Sequence, residues 1–210
     1  YNNIMNSFVS KVVIIGESGV GKSSILDIIR GEKFNSSTTS TIGIDWYCLK
    51  REKNNILYKF HIYDTSGQEA YSSITNQYYR DAKIIIFVYS LNNLQSLKRL
   101  TYWENEFDKK NLEENPLKIF VASKCELKNI DNISLINQLK ERNIQHIETS
   151  SKDNINIKVL EKMITDDYIN NHLDYKKVEK KYYINNLPEI KIESDCYVKF
   201  DDKKDKNNCC

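Results

Sequence analysis

Gly16-Glu17-Ser18-Gly19-Val20-Gly21-Lys22-Ser23 has the spacing G-x-x-x-x-G-K-S, which suits a loop that wraps a polyphosphate. Its glycines allow backbone N–H groups to turn inward as an anion nest, and a following helix adds the positive end of its dipole. Lys22 supplies a point charge for the outer phosphates, and the Ser23 hydroxyl can ligate the Mg²⁺ that travels with them. The local context agrees. Val12, Val13, Ile14 and Ile15 form an apolar β-branched run before the loop, and Ser24 opens a helical pattern reaching Arg30. Strand, loop and helix in that order distinguish this site from an ordinary glycine-rich turn.

A second cluster, Asp64-Thr65-Ser66-Gly67-Gln68-Glu69, follows another apolar run. Asp64 can hold the same Mg²⁺ through water, the Gly67 N–H can reach a terminal phosphate, and Gln68 can orient an attacking water. Taken alone, Gln68 reads equally well as an exposed polar loop residue. Thr41 follows a polar segment, Asn35 to Ser40, with little intrinsic structure. Its hydroxyl could complete the metal shell only when the terminal phosphate is present, ordering the segment as it does so. Together these residues predict a two-state switch set by one phosphate group.

Such groups need a rigid frame. Strand-like runs recur at Phe8–Ile15, Trp46–Glu52, Leu57–Tyr63, Ile84–Leu91, Lys118–Ala122 and Ile144–Glu148. Helical periodicity marks Ser23–Arg30, Leu94–Lys110, Ile133–Arg142 and Ile155–Asn171. This alternation predicts an α/β fold: a doubly wound, six-stranded, mostly parallel sheet with helices on both faces. One antiparallel strand is expected where Trp46–Glu52 meets Leu57–Tyr63 with no helix between them. Ligands in such sheets bind beyond the carboxyl ends of the strands. The glycine loop, Asp64, Ser123–Glu126 and Thr149–Lys152 each follow a strand, so all four should converge on one rim.

Length and composition narrow the class. The 210 residues fit one domain, expected over 1–173, and an appendage at 174–210. Nine Lys and eight acidic residues nearly cancel in that appendage, which reads as a mobile polar tether rather than a polybasic membrane patch. A net charge of +2 gives no reason to expect nucleic acid as a partner. No apolar run approaches the ~18 residues that span a bilayer, and no secretory leader is evident. Cys48, Cys125 and Cys196 are too scattered for a disulfide framework, so synthesis in the cytosol is expected.

At this point the chain resembles the Ras superfamily of small GTPases, and within it the Rab branch, over about Ser10 to Asn171. Ile42-Gly43-Ile44-Asp45-Trp46 resembles the Rab I-G-x-D-F element, and Tyr63-Asp64-Thr65-Ser66-Gly67-Gln68-Glu69 resembles W-D-T-A-G-Q-E. Tyr78-Tyr79-Arg80-Asp81-Ala82 is similar to Y-Y-R-G-A, and Glu148-Thr149-Ser150-Ser151-Lys152 to E-T-S-A-K. The resemblance implies a GTP/GDP switch with Mg²⁺ on Ser23, Thr41 and Asp64, and slow GTP hydrolysis through Lys22, Gly67 and Gln68. It places Phe34 against the guanine, with Ser123, Lys124, Glu126, Ser150, Ser151 and Lys152 around the base. It also implies an exchange factor, a GTPase-activating protein, a dissociation inhibitor or escort protein, and effectors of vesicle traffic. Ile42, Gly43, Trp46, Tyr63 and Tyr78 would meet those effectors, although the three aromatics could equally pack strand against switch. The terminal Cys209-Cys210 resembles a double-prenylation signal, which would hold the protein on the cytosolic face of an endomembrane; two lipid chains anchor stably where one does not. A vicinal disulfide or a chance pair is the alternative.

The base motif departs from the family. Where it carries N-K-x-D, this chain has Ser123-Lys124-Cys125-Glu126. Glu126 keeps the carboxylate but adds a methylene, and Ser123 loses the amide that would contact the base and brace the phosphate loop. Each weakened buried hydrogen bond costs about 1–3 kcal/mol, so guanine preference with lowered affinity and faster exchange is expected. The competing reading is a weakly catalytic or non-catalytic nucleotide-binding scaffold with an eroded base motif. A nucleotide kinase is disfavoured, because no Arg-rich lid accompanies the loop.

Overall fold

The computed structural model describes residues 6–36, 44–65, 78–113, 115–128, 137, 139 and 145–171. Six strands form one sheet: β1 (Asn6–Ile15), β2 (Ile44–Lys53), β3 (Ile56–Thr65), β4 (Ile84–Ser90), β5 (Leu117–Ser123) and β6 (Gln145–Glu148). Their order is β2-β3-β1-β4-β5-β6. β1 runs parallel to both β3 and β4, while β2 is antiparallel to β3. The sheet is therefore the expected one.

A strand with parallel neighbours on both sides is covered on both faces and tolerates an unbroken apolar run. Val12 to Ile15 meet that requirement, each fully buried. Val12 and Ile14 join Ile25, Leu26, Leu160, Ile164 and Ile169 in one core, while Val13 and Ile15 join Leu97, Leu100, Trp103 and Phe107 in another. Helix α1 (Lys22–Ile29) and the last helical segment lie on the first face; α2 (Leu94–Lys98) and α3 (Leu100–Lys110) lie on the second. Phe87 of β4 ties the second face together. Its ring stacks on Phe120 at 4.9 Å and meets Phe107 edge-on at 6.1 Å.

Three elements differ from the sequence pattern. The hairpin strands run longer, because Asn54 and Asn55 take φ of 52° and 58°. That tight two-residue turn needs positive φ at both positions, which Asn tolerates, and it lets pairing start at Lys53 and Ile56. Leu94–Lys110 divides at Arg99, although helical bonds continue through it from Arg99 N to Gln95 O and from Trp103 N to Arg99 O. Ser96, in the first turn of α2 (Leu94–Lys98), returns its hydroxyl to the carbonyl of the N-cap residue Asn93 at 2.6 Å.

The last helix starts at Ile157 (α4, Ile157–Lys162), since Ile155 is engaged in a β-bridge with Ser150 and Asn156 is left-handed at φ 57°. It then widens into a π segment (Met163–Asp167) before α5 (Tyr168–Asn171). Of the expected helix Ile133–Arg142, only Asn137 and Leu139 are described; both are helical, and Leu139 packs on the second core. The tail from 172 onward lies outside the described residues. Among the described residues no helix is long and apolar enough to cross a membrane.

Truncating Phe87 to Ala removes the ring that joins β4, β5 and α3. It is expected to cost about 3–5 kcal/mol, read as a lower urea midpoint at unchanged slope.

Candidate functional site

At the end of β1 the chain turns at Gly16, whose φ is +152°. A Cβ there would lie 2.1 Å from the Val88 carbonyl oxygen of β4, so only glycine lets the loop pass this close. The loop closes at Gly21, left-handed at φ 99°, and α1 begins at Lys22 with Ser24 in its first turn. Glu17, Ser18, Gly19 and Val20 make the arc between. Lys22, 5% exposed, folds back into it. Its ammonium donates to the Gly16 carbonyl at 2.8 Å and to the Glu17 carbonyl at 3.0 Å. The loop thus holds a cation at its centre.

The end of β3 comes to the same place. Ser23 Oγ donates to Asp64 Oδ2 at 2.5 Å, and Asp64 is buried. Thr65 fixes the strand end by donating its hydroxyl to the Ile14 carbonyl at 2.8 Å. A hydroxyl and a carboxylate are hard oxygen donors that fit Mg²⁺, an ion usually held by one or two carboxylates plus substrate phosphates. Among the described residues no group of three or more His, Cys, Asp or Glu could hold a metal alone. Ser23 and Asp64 would leave shell positions that a phosphate-bearing ligand and water could fill. Thr41, Gly67 and Gln68 lie outside the described residues.

On the other side of the loop, Ser123 overturns one expectation. Its buried hydroxyl sits 2.5 Å from the Val20 carbonyl and 2.9 Å from the Tyr89 carbonyl. A hydroxyl has one proton for these two acceptors, and the shorter contact, donation to Val20, is the one that braces β5 against the phosphate loop. The brace survives the loss of the amide because the shorter side chain reaches a backbone oxygen directly. Lys124, left-handed at φ 56°, donates its ammonium to the Gly19 carbonyl at 2.7 Å. Glu126 lies in a 3₁₀ turn (Cys125–Leu127), and its Oε2 is buried with no hydrogen-bond partner in the protein. A buried carboxylate oxygen without a donor is costly unless a ligand brings N–H groups to it.

Two loops meet beside Glu126. Cys125 N donates to the Thr149 carbonyl at 3.0 Å. Ser150 is buried and its hydroxyl accepts from Asp153 N, while Ser151 and exposed Lys152 follow in the turn. Phe34 stands 39% exposed beyond α1. The four strand-end segments therefore share one rim, as their spacing requires.

The Ras family model matches residues 11–170 of this chain. Among similar relatives is Ras-related protein RABD2c of Arabidopsis thaliana, 35% identical over 71% of this chain and 75% of the relative. Ras-related protein Rab-10 of Diplobatis ommata is 36% identical over 70% and 74%, and Ras-related protein Rab-3C of Bos taurus 37% over 72% and 67%. The chain is a Rab-type small GTPase of the Ras superfamily.

In this small GTPase the aromatic residues singled out by the sequence form two contacts. Tyr63 and Tyr78 lie ring to ring at 5.5 Å, with the Lys11 ammonium 5.6 Å and 6.0 Å from their centroids. Trp46, paired across the hairpin with Tyr63, turns its ring to His61 at 5.5 Å. All three are half-buried, so they pack and still present surface; Ile42 and Gly43 lie outside the described residues. Lys11 and His61 escaped the sequence reading, as no motif marks them; only the strand register, which pairs Lys11 with His61 two residues before Tyr63, could have found them. Arg99 escaped too. Its Nε lies 2.7 Å from Glu17 Oε1 in the phosphate loop.

Burial and, secondarily, the charge of Lys59 hold the His61 pKa below its ordinary 6.5. The folded GTPase resists a proton that the unfolded chain accepts, so this contribution is intact above pH 6.5 and declines as the pH falls through that value. Urea unfolding of His61→Gln should show a flatter stability profile below pH 6.5 than the parent. Gly16→Ala should lower stability by about 2–3 kcal/mol through its clash with Val88, measured by the same method.

Proposed function

We propose that this GTPase is a membrane-tethered molecular switch of vesicle traffic. A G domain over 1–173 binds and hydrolyses GTP, and a tail over 174–210 carries lipids on Cys209 and Cys210. The observation that carries the nucleotide reading is the 2.5 Å contact between Ser23 Oγ and Asp64 Oδ2, beside the caged Lys22 ammonium. It gathers an oxygen pair suited to Mg²⁺ and a cation suited to phosphate at one helix start.

In this reading Lys22 exchanges the Gly16 and Glu17 carbonyls for outer phosphate oxygens. Ser23, Asp64 and Thr41 would hold Mg²⁺, which when bound would neutralise charge on the phosphates. Gln68 orients the water, and the Gly67 N–H receives the terminal phosphate. Loss of that phosphate releases Thr41 and Gly67, which is the switch. Glu126 Oε2 takes N–H groups of the guanine, Lys124 lies along the base and Phe34 covers its face. Ser150, Ser151 and Lys152 close the opposite edge. Intrinsic turnover is slow, and a GTPase-activating protein accelerates it by supplying an arginine. Trp46, Tyr63, Tyr78, Ile42 and Gly43 meet effectors in the triphosphate state, while an exchange factor and an escort or dissociation inhibitor act on the diphosphate form. The retained Ser123 brace supports a working switch over an eroded scaffold.

Guanine nucleotide should co-purify with the protein, and chelation of Mg²⁺ should speed its release. Gln68→Leu is expected to keep nucleotide affinity within about twofold while slowing single-turnover hydrolysis at least tenfold, an effect of the size attributed to water-orienting groups. Equal turnover in parent and variant, or co-purified adenine nucleotide, would overturn the assignment.

A further inference from the structure

Glu17 places a carboxylate in a loop proposed to receive a polyphosphate, an arrangement that like-charge repulsion disfavours. The structure supplies a fixed cation against it. Arg99 Nε lies 2.7 Å from Glu17 Oε1. Both atoms are out of water, although the side chains are 38% and 28% exposed. Arg99 occupies the turn between α2 and α3, its backbone held on both sides by Gln95 and Trp103. Its guanidinium stands 4.8 Å from the Tyr102 ring and 5.8 Å from the Trp103 ring. The two rings flank the guanidinium, and charge attraction at 2.7 Å rather than an aligned hydrogen bond holds it at Glu17. The Glu17 carbonyl is also one of the two resting places of the Lys22 ammonium, so the residue that Arg99 restrains is part of the cradle itself.

We propose that Arg99 is a positioning residue for the phosphate loop, cancelling the Glu17 charge and fixing the loop arc so that a nucleoside triphosphate can enter. This rests on the reading of the loop as the nucleotide site. Because a triphosphate carries more negative charge than a diphosphate, losing the compensation weakens the triphosphate more. Arg99 thereby biases the protein toward its GTP form.

The test measures affinities of the full chain for a fluorescent GDP and a fluorescent non-hydrolysable GTP analogue, at low and at physiological salt. Arg99→Gln is expected to bind the triphosphate about three- to tenfold more weakly, with a smaller loss for the diphosphate and a smaller effect at higher salt. Arg99→Lys should stay within about twofold of the parent, and Glu17→Gln should bind the triphosphate about two- to threefold more tightly. The double variant Arg99→Gln/Glu17→Gln should return to within about twofold of the parent. A loss that persists undiminished in the double variant would assign Arg99 to packing on Tyr102 and Trp103, and would overturn the proposal. So would an unchanged Arg99→Gln, or an unchanged Glu17→Gln should Arg99→Gln fail to fold. A parent protein that binds neither nucleotide would overturn the underlying site reading as well, an outcome distinct from any difference among variants.

Discussion

The backbone at Gly16 runs against the Val88 carbonyl of β4, with no room for a side chain between them. That closeness forces the loop to leave β1 over the seam with β4 rather than away from the sheet. Everything at the rim follows from this path. It sets where α1 starts, and hence where Lys22 and Ser23 sit. It also brings the Val20 carbonyl within reach of Ser123 and the Gly19 carbonyl within reach of Lys124. The central position of β1, buried on both faces, keeps the departure point rigid.

Around that path the polar groups link distant segments. Thr65 joins β3 to β1, Ser123 joins β5 to the loop, and Cys125 joins the two loops beside Glu126. These bonds are buried or half-buried, so each broken one would leave a desolvated group. The rim is consequently one connected unit, and replacing Asn by Ser at one node changes its length without cutting it.

What the sequence made legible was what local chemistry decides. The Val12–Ile15 run and the G-x-x-x-x-G-K-S spacing act within a few residues, and the alternation of strands and helices orders the sheet by connection rules. Phosphate-loop and Asp64 placements came from those signals. Less legible were features set by partners far along the chain. The Ser123 brace depends on a backbone oxygen 103 positions away, and Arg99 meets Glu17 only through the packing of α2 and α3 on the second face of the sheet. The late start of α4 depends on the Ser150–Ile155 bridge, which periodicity cannot reveal.

An open sheet has two edges, and unpaired edge strands invite a second chain to add on. Here the outermost hairpin strand carries Lys50, Arg51, Glu52 and Lys53 in succession, with Arg51 engaged by Glu161 and Lys53 by Asn170 of the last helix. The opposite edge strand is four residues long. Crowded charge at one border and brevity at the other disfavour edge-on stacking of copies, so the geometry that opens the rim to a ligand does not also open the sheet to fibril growth.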